Sequence, residues 1–421
     1  MSAARWWLSV AVAALLSLAG CERKAPLPSP AASSSAQPAP QPTPPTSQPQ
    51  STFTEPPAPM TARPGWRRPP VIDVHTLVTP TSYDLALQLA EENGVERIVN
   101  LSGGNQLKGL GPHLEAIERH PGRVAVFYNL PWQLYEREDF GAQAAAGLED
   151  AVKRGYAGLK IPKVLGLGLT DAQGNFVPVD DPKLDPVWAA AGRLGVPVAI
   201  HTGDPVAFFK PVDAHNERHE ELALAPKWSF ADPKFPRLEV LLAQRDKLLE
   251  RHRGTTFLLV HFGGLPEDLA YTEALMERHP NVVLDVSARL GEIGRHDPAR
   301  LRAFFTKHAS RVLFGTDLGV SLEPSDPPKV HFFLGSVSER EPAHDDVEPF
   351  FHAHWRFFEE DAAQVGTIPH PIPIQGRWGV RPLNLPDEVL KALYHDNAHR
   401  LIFAPMYARL QAPDPLSPAQ P

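Results

Sequence analysis

The chain changes texture near residue 70. From Val71 to Asp317, apolar runs of strand length alternate with stretches whose apolar residues recur at three- and four-residue spacing. Val71–His75, Arg97–Leu101, Arg123–Tyr128, Tyr156–Ile161, Pro197–His201, Thr256–His261, Asn281–Val286 and Arg311–Asp317 read as strands. Between them, Tyr83–Asn93, Pro112–His120, Phe140–Arg154, Leu184–Leu194, Leu238–His252, Glu267–His279 and Pro298–His308 carry helical spacing. Strand and helix alternating over about 250 residues predict an α/β fold, a TIM-type (β/α)8 barrel. A doubly wound open sheet gives the same alternation. It does not need catalytic-type residues at strand ends so far apart in the chain, and those are present, as set out below.

Two connections are too long to be simple turns, and both leave the carboxyl ends of strands. Pro162–Pro182 follows the fourth strand and Thr202–Pro236 the fifth. Long loops at that end of a barrel build its pocket, so both are expected to roof one, with Trp228 and Phe230 packed in the second. Beyond Asp317 the pattern predicts a C-terminal helical extension, with helices over Asp345–Asp361 and Pro386–Leu401 around a Pro-rich loop, Ile368–Pro373. The barrel domain is drawn as 71–405, with a flexible tail at 406–421.

Ahead of Val71 the chain is of another kind. Arg5 precedes an apolar stretch, Trp6–Leu18, too short to span a bilayer as a helix. Small residues follow it, which is the arrangement of a secretory signal. Leu18-Ala19-Gly20-Cys21 resembles the lipobox of bacterial lipoproteins, and Cys21 is the single cysteine of the 421-residue chain. The expectation is a signal peptide over 1–20, lipidation at Cys21, export, and anchorage to a bacterial cell membrane through the lipid. One cysteine also excludes an internal disulfide, so the fold must stand on its core. From Glu22 to Pro70 proline, serine, glutamine, threonine and alanine dominate. Such a segment cannot bury enough apolar surface to offset its ordering entropy. It reads as a disordered tether over 21–70, reaching on the order of 100 Å at roughly 3 Å per residue where extended. A net charge of −8 with no basic cluster argues against nucleic-acid binding.

Chemistry gathers at the ends of the predicted strands. Val71–His75, Pro197–His201 and Thr256–His261 each end on histidine, and Arg311–Asp317 ends on a carboxylate. Lone histidines at strand ends are usually hydrogen-bonded structural groups, but four such residues at barrel strand ends form a candidate site. Lys160 ends the fourth strand and Arg289 follows the seventh, both placed to contact an anionic substrate.

The stretches Ile72-Asp73-Val74-His75, Gly158-Leu159-Lys160-Ile161, Pro197–His201, Thr256–His261, Phe314-Gly315-Thr316-Asp317 and Asn397-Ala398-His399-Arg400-Leu401 together resemble the amidohydrolase superfamily. The similarity is to its amidohydrolase-related branch, which includes aminocarboxymuconate-semialdehyde decarboxylase and related carboxy-lyases. The resemblance implies one divalent metal, zinc by preference, held by His75, His201 and Asp317. It implies a catalytic His261 as acid/base, with Asp317 also able to move a proton. The expected activity is hydrolysis or decarboxylation of a small-molecule substrate; strand-end residues do not separate the two. Some members carry a carboxylated lysine where Lys160 stands. The chain departs from the family at Leu77, where the first strand's His-x-His would place its second histidine. Strict strand alternation puts Asp73, His75 and Leu77 on one face, so Leu77 leaves either a site with fewer ligands or a decayed site in a binding protein. Two histidines and a carboxylate suffice for catalytic zinc, and equally for non-haem iron. Asp73 is read as orienting a neighbour. His352 and His354 copy the His-x-His spacing but fall in a helical stretch and are read as surface residues. His215 and His219 are assigned to the roof loop.

Overall fold

The computed structural model describes residues 65–411 and 414–416. The expected signal peptide, Cys21 and nearly all of the expected tether lie outside them.

Eight parallel strands run in sequence order: β1 (Val71–Val78), β2 (Val95–Asn100), β3 (Val124–Asn129), β4 (Gly158–Ile161), β5 (Val198–Ile200), β6 (Phe257–Leu259), β7 (Val282–Asp285) and β8 (Val312–Leu313). Helices α1 (Tyr83–Glu92), α2 (Gly111–Arg119), α3 (Phe140–Lys153), α4 (Asp185–Leu194), α5 (Leu238–Arg251), α6 (Leu269–Arg278) and α7 (Pro298–Lys307) connect them. Each falls within one or two residues of the stretch predicted from spacing. β8 pairs with β7, then breaks at Phe314, and the chain resumes as β9 (Leu318–Glu323) beside β1. Across the break the Val74 N–H donates to the Phe314 carbonyl at 3.0 Å and the Asp317 N–H to the His75 carbonyl at 2.9 Å. One continuous run therefore hydrogen-bonds to both the last strand and the first, and the barrel closes.

Alternation sorts the strand side chains into two apolar clusters. On β3, Val124, Val126 and Tyr128 join the larger cluster between sheet and helices, while Ala125 and Phe127 join a smaller one inside the barrel. Ala199, Leu258, Val283 and Leu313 fill the interior at the same parity. Continued upward, that parity turns His201 and Asp285 inward at the carboxyl ends, and on β4 Lys160 lies between the outer-core residues Leu159 and Ile161.

β1 departs from the expected alternation. Its register against β2 shifts between Asp73 and Thr76, and Ile72 and Val74 share the interior cluster with the partly buried Leu77. Asp73, His75 and Leu77 therefore do not repeat as one two-residue series: the irregularity turns Leu77 onto the face of Ile72 and Val74.

The extension beyond Asp317 is not wholly helical. β9 forms an antiparallel hairpin with β10 (Lys329–Leu334) before α8 (Val347–Glu359). The last helical stretch runs from Asp387 to Leu410, past the expected boundary at 405. Ile402, Phe403 and Met406 plug the amino-terminal end of the barrel interior. Within the same stretch the Asn397 side chain donates to the carbonyls of Ala309 (2.6 Å) and Val312 (2.8 Å), fixing the entry to β8. His354 is not at the surface: it is buried on α8 against Phe314 and Phe350, its Nδ1–H donating to the Phe350 carbonyl at 2.8 Å. Helical spacing places it one turn above Phe350, on the face that packs against the barrel.

Candidate functional site

Three side chains converge at the carboxyl ends of β1, β6 and β8. His75, His261 and Asp317 each offer one ligand atom, and these atoms lie within 4.8 Å of one another. All three are buried. His75 Nε2 stands 3.3 Å from Asp317 Oδ1.

A second pair of residues sets the two imidazoles. Asp285 ends β7, fully buried, and Ser287 follows it. His75 Nδ1–H donates to Asp285 Oδ2 at 2.9 Å and lies 2.8 Å from Ser287 Oγ. His261 Nδ1–H donates to the Ser287 carbonyl at 3.0 Å. With Nδ1 protonated on both rings, each Nε2 carries a lone pair, the tautomer a metal requires. Asp285 Oδ1 also accepts from the His261 N–H (2.8 Å), the Ser287 N–H (3.1 Å) and the Ser287 hydroxyl (2.6 Å). Burial pushes this carboxyl up, but His75 and the hydrogen bonds outweigh it and hold Asp285 below the usual range, as an anion.

Backbone geometry does the aiming. His261 and Asp317 adopt φ of +57° and +68°, a region that costs non-glycine residues strain and clusters at functional sites. After His261 the chain turns through Phe262, Gly263 and Gly264. A Cβ on Gly264 would stand 2.3 Å from the Thr202 carbonyl, so only glycine fits there. Asp73 makes the matching brace on the other side. Its Oδ1 accepts from the N–H groups of His75 (3.0 Å) and Thr316 (3.1 Å), and its Oδ2 from the Thr316 hydroxyl (2.5 Å). It thus ties β1 to the residue before Asp317.

Burial governs the remaining electrostatics. It raises the Asp317 carboxyl, against the opposing pull of His75, Lys160 and Arg289. It lowers His261 well below the ordinary histidine value, with the nearby His201 and Arg289 adding to the shift. His201 is lowered to about 4 by burial, partly offset by Asp204. The His201 ring centroid lies 4.3 Å from that of His261, but His201 stands outside the three-ligand group. Its Nε2 is 3.4 Å from Asp204 Oδ1, without the alignment of a hydrogen bond, and has no other partner. Lys160, 7% exposed, has no hydrogen-bond partner at Nζ. Arg289 places Nη1 on the Ala288 carbonyl (2.8 Å) and Nη2 3.5 Å from Asp204 Oδ1.

The long loops cover this end. Lys163, on the loop after β4, donates to Asp204 Oδ2 at 2.7 Å, and its Nζ lies 5.1 Å from the Trp228 ring centroid and 5.6 Å from that of Phe230. Arg218, buried in the loop after β5, binds Glu221 Oε2 at 2.6 Å and Glu292 in the loop after β7. The Ser336 hydroxyl donates to Glu221. His215 and His219 are exposed on that loop.

Asp285 and Ser287 are absent from the sequence-level site. The signal was available, since Val282-Val283-Leu284-Asp285 ends on a carboxylate as the other active strands end on histidine or aspartate.

The fold and this buried cluster define an enzyme-type barrel site, and comparison with known proteins gives the family. The family model for Amidohydrolase matches residues 113–403, well over half of the chain, and the chain belongs to that family. The match begins after β1, so His75 and Leu77 lie outside it. Among solved structures, the chain is similar to 2,6-dihydroxybenzoate decarboxylase from Rhizobium, with 16% identity over 79% of this chain and 98% of that one and a TM-score of 0.46. It is also similar to 5-carboxyvanillate decarboxylase from Sphingomonas paucimobilis, with 13% identity, 79% and 99% coverage and a TM-score of 0.44. A third is an uncharacterized TIM-barrel protein from Bordetella bronchiseptica, with 14% identity, 80% and 99% coverage and a TM-score of 0.45. No curated protein matches the chain.

Proposed function

We propose that this chain is a metal-dependent hydrolase or carboxy-lyase for a small organic substrate, and that His75, His261 and Asp317 hold one divalent metal. The observation that carries the reading is the convergence of two imidazoles with bare Nε2 atoms and one carboxylate inside a 4.8 Å group. That donor set fits a catalytic zinc with positions left for substrate. When bound, the metal supplies Lewis-acid polarisation of a substrate oxygen. The protein's own part is to hold and aim. Asp285 and Ser287 keep Nδ1 of both imidazoles protonated, Asp73 braces the backbone at His75 and Thr316, and the roof loops exclude bulk water. Neutral His201, with an unpartnered Nε2 beside His261, is the acceptor for a proton released in the reaction. This exchanges the roles that the family resemblance implies for His201 and His261.

Leu77 supports a second reading, a binding protein with a decayed site, because the leucine packs on the apolar interior instead of adding a ligand. One experiment separates the two. Purified protein is assayed for loss of carbon dioxide, or hydrolysis, across small aromatic and aliphatic acids, esters and lactones. Turnover that a chelator abolishes and zinc restores supports the enzyme; no turnover with zinc loaded leaves the binding protein.

We further propose that Cys21 carries a lipid and that residues 21–70 hold the barrel off a bacterial membrane. Among the described residues no helix is long and apolar enough to cross one. Cys21→Ala protein that is still processed and fractionates with membranes contradicts the anchor.

A further inference from the structure

The cations around the barrel mouth have partners, with one exception. Lys163 is held by Asp204 at 2.7 Å, and Arg218 by Glu221 and Glu292. Arg289 is half satisfied: its two Nη atoms have acceptors, but its buried Nε has none. Lys160 has no hydrogen-bond partner at all, although its Nζ is sealed from solvent. An ammonium group in that position is expensive, because it has lost the hydrogen bonds of water and gained none in return.

The direction of Lys160 follows from β4. Leu159 and Ile161, on either side of Lys160, face the helices in the outer core. Lys160 therefore projects into the barrel mouth, at the level where β5 ends in His201: Lys160 pairs with Ala199 in the β4–β5 register. It approaches Asp285 and Asp317 closely enough for both to act on its charge. Those carboxylates are already committed, Asp285 to His75 and Ser287 and Asp317 to the ligand group. Burial brings the Lys160 amine down to about 8, which leaves it a cation at neutral pH. Arg289 approaches the same neighbours, acting on both His261 and Asp317. The corner thus holds Lys160, Lys163 and Arg289 against one further carboxylate, Asp204, which Lys163 and Arg289 already occupy.

We propose that Lys160, together with the free Nε–H of Arg289, is a subsite for a carboxylate of the substrate, so that the substrate is a small organic acid whose reacting group is presented to His75, His261 and Asp317. The assignment rests on the catalytic reading of that group. An organic carboxylate supplies what both side chains lack: a negative charge for the ammonium and an acceptor oxygen for the Nε–H. A neutral ester or amide supplies the acceptor without the charge.

Binding of benzoate and of benzamide is measured by calorimetry on wild type and on Lys160→Met, each both zinc-loaded and zinc-free. Removing a charge-assisted hydrogen bond should weaken benzoate by about tenfold to a hundredfold. Benzamide binding and zinc content should not change. Because the subsite lies outside the ligand group, the same loss is expected in the zinc-free pair, so failure of the metal reading does not mask this result. Lys160→Met should also melt no lower than wild type without ligand, since it replaces an unpaired buried charge by an apolar chain of similar length. If Lys160→Met fails to fold, Lys160→Gln, which keeps a donor without charge, must show the same loss. Equal benzoate affinity in wild type and variant overturns the subsite, as does loss of zinc from Lys160→Met, which would place the lysine in the service of the metal.

Discussion

The two ends of the barrel treat an inward-facing cation in opposite ways. At the amino-terminal end, Arg97 on β2 is 1% exposed, donates to Asp414 Oδ2 at 2.8 Å and stacks 5.0 Å from the Phe403 ring. Around it the last helix seals the interior with Ile402, Phe403 and Met406. At the carboxyl-terminal end, Lys160 and the Nε2 of His201 are equally shut from water and make no hydrogen bond. The backbone there is strained as well, at His261 and Asp317. The inward cation at the amino-terminal end is satisfied by the protein; the one at the carboxyl-terminal end is left for something the protein does not contain. That difference supports a ligand at the carboxyl-terminal end, since an unpaired buried charge destabilises a fold unless a ligand answers it.

If the closed end is purely structural, damage there should show in stability and nowhere else. Phe403→Ala removes the ring beneath Arg97 and opens a cavity, and should cost about 3–5 kcal/mol in urea unfolding. Metal content per folded chain should stay that of wild type. A fall in metal content without loss of stability would break the contrast between the ends.

Acid should act through buried neutral histidines that the candidate site does not use. Burial holds His354 at about 4, below the value near 6.5 of the unfolded chain. Between those values the unfolded chain binds the proton and the folded chain does not, so stability is full above pH 6.5 and falls as pH drops towards 4. At about 1.4 kcal/mol per pH unit this comes to up to about 3 kcal/mol for His354. His370, lowered to about 3 by burial, adds to the same trend. Melting temperature followed from pH 7.5 to 4.5 should decline less steeply in His354→Leu than in wild type; identical slopes would show that His354 titrates normally.

At the open end, the smallest change should be the most selective. Asp285→Asn keeps the shape but removes the anion that receives His75 Nδ1–H. Metal affinity should fall by roughly 10–100-fold, with less effect on melting than Phe403→Ala. Unchanged affinity in a zinc titration would mean that Asp285 does not set the imidazole.

Much of this contrast was legible in the sequence. Runs ending in His75, His201, His261 and Asp317 marked the active end, and helical spacing placed the helices closely, because both depend on local periodicity. The proposed exchange of His201 and His261 as ligand was not legible. It turns on Ser287, whose carbonyl fixes the His261 tautomer across the gap between β6 and β7, and on Asp204, which stands beside His201. The first is a contact between neighbouring strands and the second lies in the turn after β5, and periodicity carries neither. The shift in β1 register escaped for the same reason: it arises where β1 must meet both β2 and the resumed strand β9. The β9–β10 hairpin escaped because its first strand directly continues β8.

Metal content of purified protein is the most direct test of the account. Wild type, Asp317→Ala, His261→Ala and His201→Ala are prepared without chelator, confirmed as folded, and analysed for divalent metals. The structure predicts about one metal per chain in wild type and in His201→Ala, and loss of it in Asp317→Ala and His261→Ala. Metal retained in His261→Ala and lost in His201→Ala would contradict the ligand set, and wild type that takes up no metal when zinc is supplied would contradict the metal centre itself.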